Sequence, residues 1–334
     1  MKNILLSTFI LLYTVIPTNA QTVGVRDTIL MGSKFKITLV DSDSIVVQQK
    51  IDHVIAEITR VEMLISDWKT TSQVSEINQN AGIKPVKVDQ EVFDLTQRAL
   101  HFSKISNGAF DISFAAMEKV WQFDGSMEVI PSQEMIQKAI AKVGYQHIIL
   151  DEKNQTIFLE LPGMKIGFGA TGKGYGAQKA REFAQEIGVR AGIIDASGDM
   201  TTWGSQPDGT PWKIGITNPF KRNQYADILS LKNGAITTSG DYEKFILIEG
   251  IRYSHIINPT TGYPSTGLTS VTVIGPDAEF CNGLSTSIMV LGKKKGLELI
   301  EQQPNYAALL ITDKGKIIRS KKYKRVKTLL NEKM

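Results

Sequence analysis

Along the chain, apolar residues first alternate with polar ones and then recur at three- and four-residue intervals. The run Met31-Gly-Ser-Lys-Phe-Lys-Ile-Thr-Leu39 alternates, which predicts a half-buried strand inside an opening hairpin over residues 21–46. Ile51, Val54, Ile55, Ile58 and Val61 share one side of a helical wheel, predicting a helix over 46–65. A short helix is expected after Ser72, and a third from Asp89, a suitable N-cap, to Ser106, where Asn107-Gly108 stops it. Pro131-Ser132 opens a fourth that ends at Gly144. The period then returns to two, giving a strand pair at 147–150 and 156–161. A glycine-rich turn, a helix over about 175–187 and the apolar strand Ala191–Asp195 follow. Residues 198–275 break into short strands separated by turn signals such as Lys232-Asn-Gly and Asn258-Pro. Helices at 277–291 and 293–302 and a strand pair at 306–312 and 316–319 close the pattern. Helices mixed with mostly antiparallel strands predict an α+β fold, in which two closely packed lobes hold a site between them.

Composition narrows the class. With 334 residues, 42 % hydrophobic and 22 % charged, the chain has the make-up of an ordinary globular protein. The formal charge of +4 is partly terminal, in the tail from Arg319 to Lys327. No stacking aromatics interleave those cations, so the tail reads as a solvated end rather than a nucleic-acid patch. Lys2, the apolar run Ile4–Ile16 and Thr18-Asn19-Ala20 have the anatomy of a signal peptide over residues 1–20, cleaved after Ala20; the alternative is a retained N-terminal anchor. The apolar run is shorter than the roughly 20 residues of a membrane span. Export to the periplasm or another extracytoplasmic face is therefore expected. No Cys follows the cleavage site to carry a lipid anchor. Cys281 is the only cysteine, so no disulfide forms within the chain. Residues 21–334 read as one domain.

Gly167-Phe-Gly-Ala-Thr-Gly-Lys-Gly-Tyr-Gly176 is the strongest local signal. Between a strand and a helix it would aim free backbone amides and the positive helix end at an anion, with Lys173 as a mobile charge for a phosphate. Five glycines in ten residues carry an entropic cost that a simple tight turn does not require. Two familiar motifs overlap it, and both fail on context. Gly167-x-Gly169-x-x-Gly172, with Asp195 ending the next strand, matches the dinucleotide fingerprint of nicotinamide oxidoreductases. Hairpin-like strands follow it, however, where parallel βαβ units belong. The near-match to a P-loop has Gly174 in place of the Mg²⁺-binding Ser or Thr.

Several separated segments, taken together and in order, resemble the FAD:protein FMN transferase (ApbE-like) family. They are Met31-Gly-Ser, Ser66-Asp-Trp68 with Ser72 to Asn78, Gly108-Ala-Phe-Asp111, Gly167 to Gly174, Ser197-Gly-Asp199, Thr238 to Tyr242, His255-Ile-Ile-Asn-Pro259 with Thr261-Gly262, and Val271 to Gly275 leading into Asn282-Gly-Leu-Ser-Thr286. The resemblance spans nearly all of residues 21–334. It implies an ApbE-like fold, FAD bound in a cleft with Mg²⁺ at its phosphates, transfer of FMN to a Thr or Ser of a target protein, and release of AMP. That target is expected to be a subunit of a membrane redox complex. The flavin contacts it implies are Met31, Trp68, Ala109, Phe110, Asp111, Gly167, Lys173, Thr238, Ser239, Gly240 and Ile256. The metal positions it implies are the backbone at Ala170 and Ser285, the Thr286 hydroxyl and Asn282, an all-oxygen set suited to a hard cation. His255, with an ordinary pKa near 6.5, stands where a general base for the acceptor hydroxyl is expected.

Each of these residues also has a plainer reading. Trp68, Phe110 and His255 could be core residues, Asp111 a helix cap, and Thr286 a hydroxyl bonded back to its own helix. Three positions where the family carries Asp are neutral here: Gly167, Asn258 and Asn282. Their loss leaves two alternatives beside the transferase, a non-catalytic extracytoplasmic flavin-binding protein and a Mg²⁺-dependent FAD hydrolase.

Overall fold

The computed structural model describes residues 21–221, 223–241 and 244–332; the leader expected over 1–20 lies outside the described residues. The N-terminal part holds β1 (Thr22–Leu30), β2 (Ser33–Asp41), α1 (Ser44–Ile65), α2 (Gln73–Gln79), β3 (Val86–Lys87), α3 (Gln90–Ile105) and α4 (Gln133–Ala139). The middle holds β4 (Ile148–Asp151), β5 (Thr156–Leu159), α5 (Gly172–Glu186), β6 (Ala191–Ala196), β7 (Asp199–Trp203), β8 (Trp212–Thr217) and β9 (Tyr225–Leu231). It continues through β10 (Gly234–Gly240), β11 (Phe245–Ile248), β12 (Ile251–Ser254) and β13 (Leu268–Gly275) to α6 (Ala278–Glu301), β14 (Ala307–Thr312), β15 (Ile317–Arg319) and α7 (Tyr323–Leu329).

Eight strands form one antiparallel sheet in the order β1-β2-β6-β7-β10-β13-β14-β15. Antiparallel pairing of β6 with both β2 and β7 removes the dinucleotide-fold reading, which needs parallel neighbours. The first hairpin is set by Met31 and Gly32, whose φ angles of 50° and 67° make the tight turn that suits strand twist. Met31 therefore sits at the turn and not in the strand expected from the alternation. Helices α1, α5 and α6 cover one face of the sheet. Asp43 caps α1 by accepting from the Ile45 and Val46 amides, and Val47, Ile51, Val54, Ile58 and Val61 point into the core. Small side chains on α5 (Ala177, Ala180, Ala184) let it lie close against α1 and Trp203.

The β8–β9 hairpin and α7 seal the opposite face with Ile214, Leu229, Tyr323 and Val326. The basic tail thus folds into a helix rather than a solvated end. Lys322 Nζ donates to the carbonyls of Ile300, Glu301 and Gln303 at 2.6–3.2 Å, closing the end of α6, and Lys327 pairs with Asp227 at 2.8 Å. On its outer side α6 is covered by α3, and α2 and the small β3-β5-β4 sheet extend the same core. Phe102 meets Phe110 and Phe280 there at ring distances of 5.5 and 4.7 Å. The cores of the two layers merge across α6. The helix is broken at Gly292 (φ 72°), where two separate helices are expected from the sequence.

Candidate functional site

Helix α5 begins at Gly172, three residues earlier than the glycine pattern suggests, so Lys173, Gly174 and Gly176 lie within its first turns. None of the five glycines from 167 to 176 has a positive φ, so turn geometry does not explain them. Packing explains two. A Cβ on Gly174 would stand 2.5 Å from the Ala278 carbonyl oxygen, and one on Gly176 would stand 2.8 Å from Met31 Sδ. The glycines bring α5 against the start of α6 and against the first hairpin turn. The helix start has no side-chain cap: Thr171 Oγ1 is buried without a partner, and the Lys173 and Gly174 amides meet no carbonyl of the preceding turn. Its neighbour α6 is capped by Asp277, whose carboxylate accepts from the Phe280 amide at 2.7 Å. An uncapped helix start with free amides is a place for an anion.

Lys173 Nζ lies 2.7 Å from Asp199 Oδ2. The contact is a close ion pair. Asp199 follows the tight β6–β7 turn at Ser197 and Gly198 and is 1 % exposed. Burial pushes its carboxyl above the ordinary range, and the Lys173 charge partly offsets that push.

Beside this pair, β10 and α6 face each other through oxygen atoms. Ser239 Oγ lies 2.8 Å from Ser285 Oγ and 3.3 Å from Thr286 Oγ1, and Ser285 Oγ donates to the Asn282 carbonyl at 3.0 Å. Asn282 Oδ1 is buried and unpartnered. The Cβ of Asn282 is 3.0 Å from where a Gly174 side chain would begin, so the amide-rich start of α5 and the oxygen set of α6 are direct neighbours. These oxygens suit a hard divalent cation in type. They carry no charge, and among the described residues no three acidic, His or Cys side chains cluster to hold a metal. A cation here would draw its compensating charge from phosphate.

Met31 donates its amide to Glu62 Oε2 at 3.1 Å and, with Trp68, Phe168, Gly169 and Lys173, lines a cavity of about 510 Å³. Trp68 is 85 % exposed, so it is no core residue. An aromatic face held open beside a cavity suits a planar ring. A second, larger cleft of about 1130 Å³ runs from Trp68 to His255 and is lined by Phe114, Met117 and Phe123. His255 follows β12 at the rim of that cleft. Its Nδ1 lies 3.1 Å from the Lys244 carbonyl, which fixes the proton on Nδ1 and leaves Nε2 with a free lone pair. The ring surface is open, yet the surrounding protein lowers its pKa below 6.5 by desolvation, so the imidazole is neutral at pH 7.

Other expected contacts are placed differently. Phe110 is 1 % exposed against Phe102, so its ring is core and no ligand can stack on it. Asp111 is a cap: its carboxylate accepts from Ser113 N and Oγ and from Tyr145 N at 2.6–2.8 Å, while burial raises its pKa. Strand alternation turns Thr238 away from Ser239, and its hydroxyl pairs with Thr272 at 2.8 Å. Ala109 is buried, and Gly240 ends β10 opposite Ser270. Ile256 is half-buried on the main core, and Ala170 is half-buried just before α5. Asn258 closes its own turn by accepting the Thr260 amide at 2.9 Å, work that an amide does as well as a carboxylate. Sequence reasoning left out Asp199, Glu62 and Asp67 as site residues, although two of the three lie inside quoted segments. Another depression of about 650 Å³ between α3, α5 and α6 is lined by groups that satisfy one another, Arg98 with Glu279 and Tyr175 with Glu91.

The profile of the ApbE family matches residues 31–310. The chain belongs to the ApbE family. A FAD:protein FMN transferase of Klebsiella pneumoniae (strain 342) is 32 % identical over 294 residues, covering 87 % of this chain and 90 % of that one. One from Escherichia coli (strain K12) is 27 % identical over 304 residues, covering 89 % and 86 %. The crystal structure of the ApbE protein of Thermotoga maritima superposes with a TM-score of 0.81 at 30 % identity, covering 93 % of this chain and all of that one. The flavin transferase ApbE of Vibrio cholerae gives 0.79 at 26 %, covering 91 % and 99 %. In this ApbE chain the α+β architecture expected from the alternation of periods is thus the family's own.

Proposed function

We propose that this ApbE-family chain is a FAD:protein FMN transferase that acts on a Thr or Ser hydroxyl of an acceptor protein, with Mg²⁺ as cofactor. The observation that carries the reading is the contact between two elements. The uncapped start of α5 with Lys173 lies directly against the oxygen set of Asn282, Ser285 and Thr286.

A pyrophosphate at the start of α5 meets free amides, the positive helix end and the Lys173 ammonium. Asn282 Oδ1, Thr286 Oγ1 and the backbone at Ala170 and Ser285 would hold Mg²⁺, which supplies positive charge against the phosphate oxygens when bound. Trp68 offers its open face to the isoalloxazine ring. The acceptor hydroxyl oxygen forms a bond to the FMN phosphorus, and the bond from that phosphorus to the bridging oxygen breaks. AMP leaves with that electron pair, and the hydroxyl proton passes to His255 Nε2. Lys173 stabilises charge on the transferred group, which is the larger part of catalysis in phosphoryl transfer.

Export and a membrane redox subunit as acceptor belong to the same reading. The pattern of residues 1–20 supports the first, and the family's chemistry supports the second. Among the described residues no helix is long and apolar enough to cross a membrane.

The test incubates the protein, FAD and Mg²⁺ with a Thr-containing acceptor and follows AMP release and covalent flavin fluorescence. Labelled acceptor supports transfer. AMP without label points to hydrolysis, and intact bound FAD points to flavin storage.

A further inference from the structure

We propose that Asp67 binds the ribityl hydroxyls of the flavin, and that the missing side chain at Gly167 makes room for it. The proposal rests on the flavin reading above.

A Cβ at position 167 would stand 3.0 Å from Asp67 Oδ2 and 3.1 Å from Ala115 Cβ. The carboxylate therefore occupies the space over Gly167. Position 167 has no positive φ, so its backbone does not call for glycine, and what the glycine supplies is room. Asp67 is exposed, and among the described residues its carboxylate has no hydrogen-bond or ion partner. Donors adjacent in sequence go elsewhere: the Trp68 and Lys69 amides go to Ser66 Oγ, and Lys69 Nζ lies 3.7 Å from Glu62. This solvated acceptor stands on the wall shared by the two cavities that Trp68 lines.

The smaller of those cavities also holds Trp68 and Lys173. A flavin ring on Trp68 and a phosphate at Lys173 leave one part of the molecule between them, the polyol chain that joins ring to phosphate. Its hydroxyls are donors, and a carboxylate accepts from neighbouring hydroxyls as an acidic residue does from ribose in dinucleotide sites. Asp67 would then discriminate flavins by their side chain, where Trp68 reads only the ring.

Binding of FAD, riboflavin, lumiflavin (which lacks the polyol) and ADP is measured by calorimetry on the wild type, Asp67→Asn and Gly167→Ala. Asp67→Asn is expected to weaken FAD and riboflavin about tenfold, the scale of losing a hydrogen bond to a charged group, and to leave lumiflavin and ADP within about twofold. Because Asp67 is exposed, the melting temperature stays unchanged. Gly167→Ala crowds the carboxylate, which must shift by a few tenths of an ångström, and should give a smaller loss with the same selectivity. FAD affinity within twofold of wild type in Asp67→Asn overturns the proposal. So does an equal loss for lumiflavin, or a loss for ADP without one for riboflavin. A wild type that binds no FAD removes the flavin reading itself, and this proposal with it.

Discussion

Replacing Lys173 by Met should destabilise the protein in a pH-dependent way, because it strands a buried carboxylate. Asp199 is 1 % exposed, and Lys173 is its ion partner at 2.7 Å. Breaking a buried pair from one side costs about 3–5 kcal/mol. The carboxyl can escape part of that cost by taking up a proton, which sets a ceiling. Protonating a group of ordinary pKa near 3.9 costs about 1.4 kcal/mol per pH unit, hence about 4 kcal/mol at pH 7 and about 1.5 kcal/mol at pH 5. The sign follows from the raised folded-state pKa of Asp199. Between the unfolded and folded values the native state binds more protons, so stability falls as pH rises, and Lys173→Met widens that window upward. At roughly 2 °C per kcal/mol for a chain of this size, melting should drop by about 8 °C at pH 7 and about 3 °C at pH 5. Calorimetry at the two pH values checks this. Adding Asp199→Asn to Lys173→Met should restore most of the loss while transfer activity stays absent. An equal drop at both pH values, or a double variant no more stable than the single, would refute the reasoning.

His255→Ala should lower transfer by about 10²–10⁴-fold while FAD binding by calorimetry stays intact, as expected for a proton acceptor. Because desolvation lowers its pKa, the acid limb of the wild-type rate profile should fall below pH 6.5, and a limb above it would count against a neutral His255. Asn282→Asp buries a carboxylate beside Gly174; melting should fall without Mg²⁺ and rise again with it, and Mg²⁺ titrations should show tighter binding. Trp68→Ala should weaken flavin binding with no change in melting temperature, since the ring is 85 % exposed. Gly174→Ala forces a methyl to 2.5 Å from the Ala278 oxygen and should destabilise by about 1–3 kcal/mol in thermal unfolding.

Strong periodicity made most elements legible. The apolar stripe of α1, the Asp89 start of α3 and the break at Gly292 are local signals that survive packing. The tail was misread because Tyr323, Val326 and Leu330 are buried by a sheet face that local sequence does not reveal. The opening hairpin was legible, but the alternation carried Met31 into the strand, where Met31-Gly32 makes the turn. For the site, residue types pointed to Lys173, His255 and Thr286. Burial could not be read from type: Trp68 and Phe110 are both aromatic, yet one stands in solvent and the other inside. Nor could the sequence show that Asn258 does turn work, or that Asp199 lies under Lys173, since both depend on neighbours distant along the chain.

Lys322 reaches three carbonyls where α6 ends, past the Gly292 break that separates them from Asn282, Ser285 and Thr286. The segment from Lys322 to Leu330 therefore acts as a fastener on the scaffold behind the site. Shortening the chain ahead of Lys322 would be felt as slack in the half of α6 beyond Gly292 before any contact with substrate was lost. Damage at the carboxyl end would then look, in an assay, like damage at the centre.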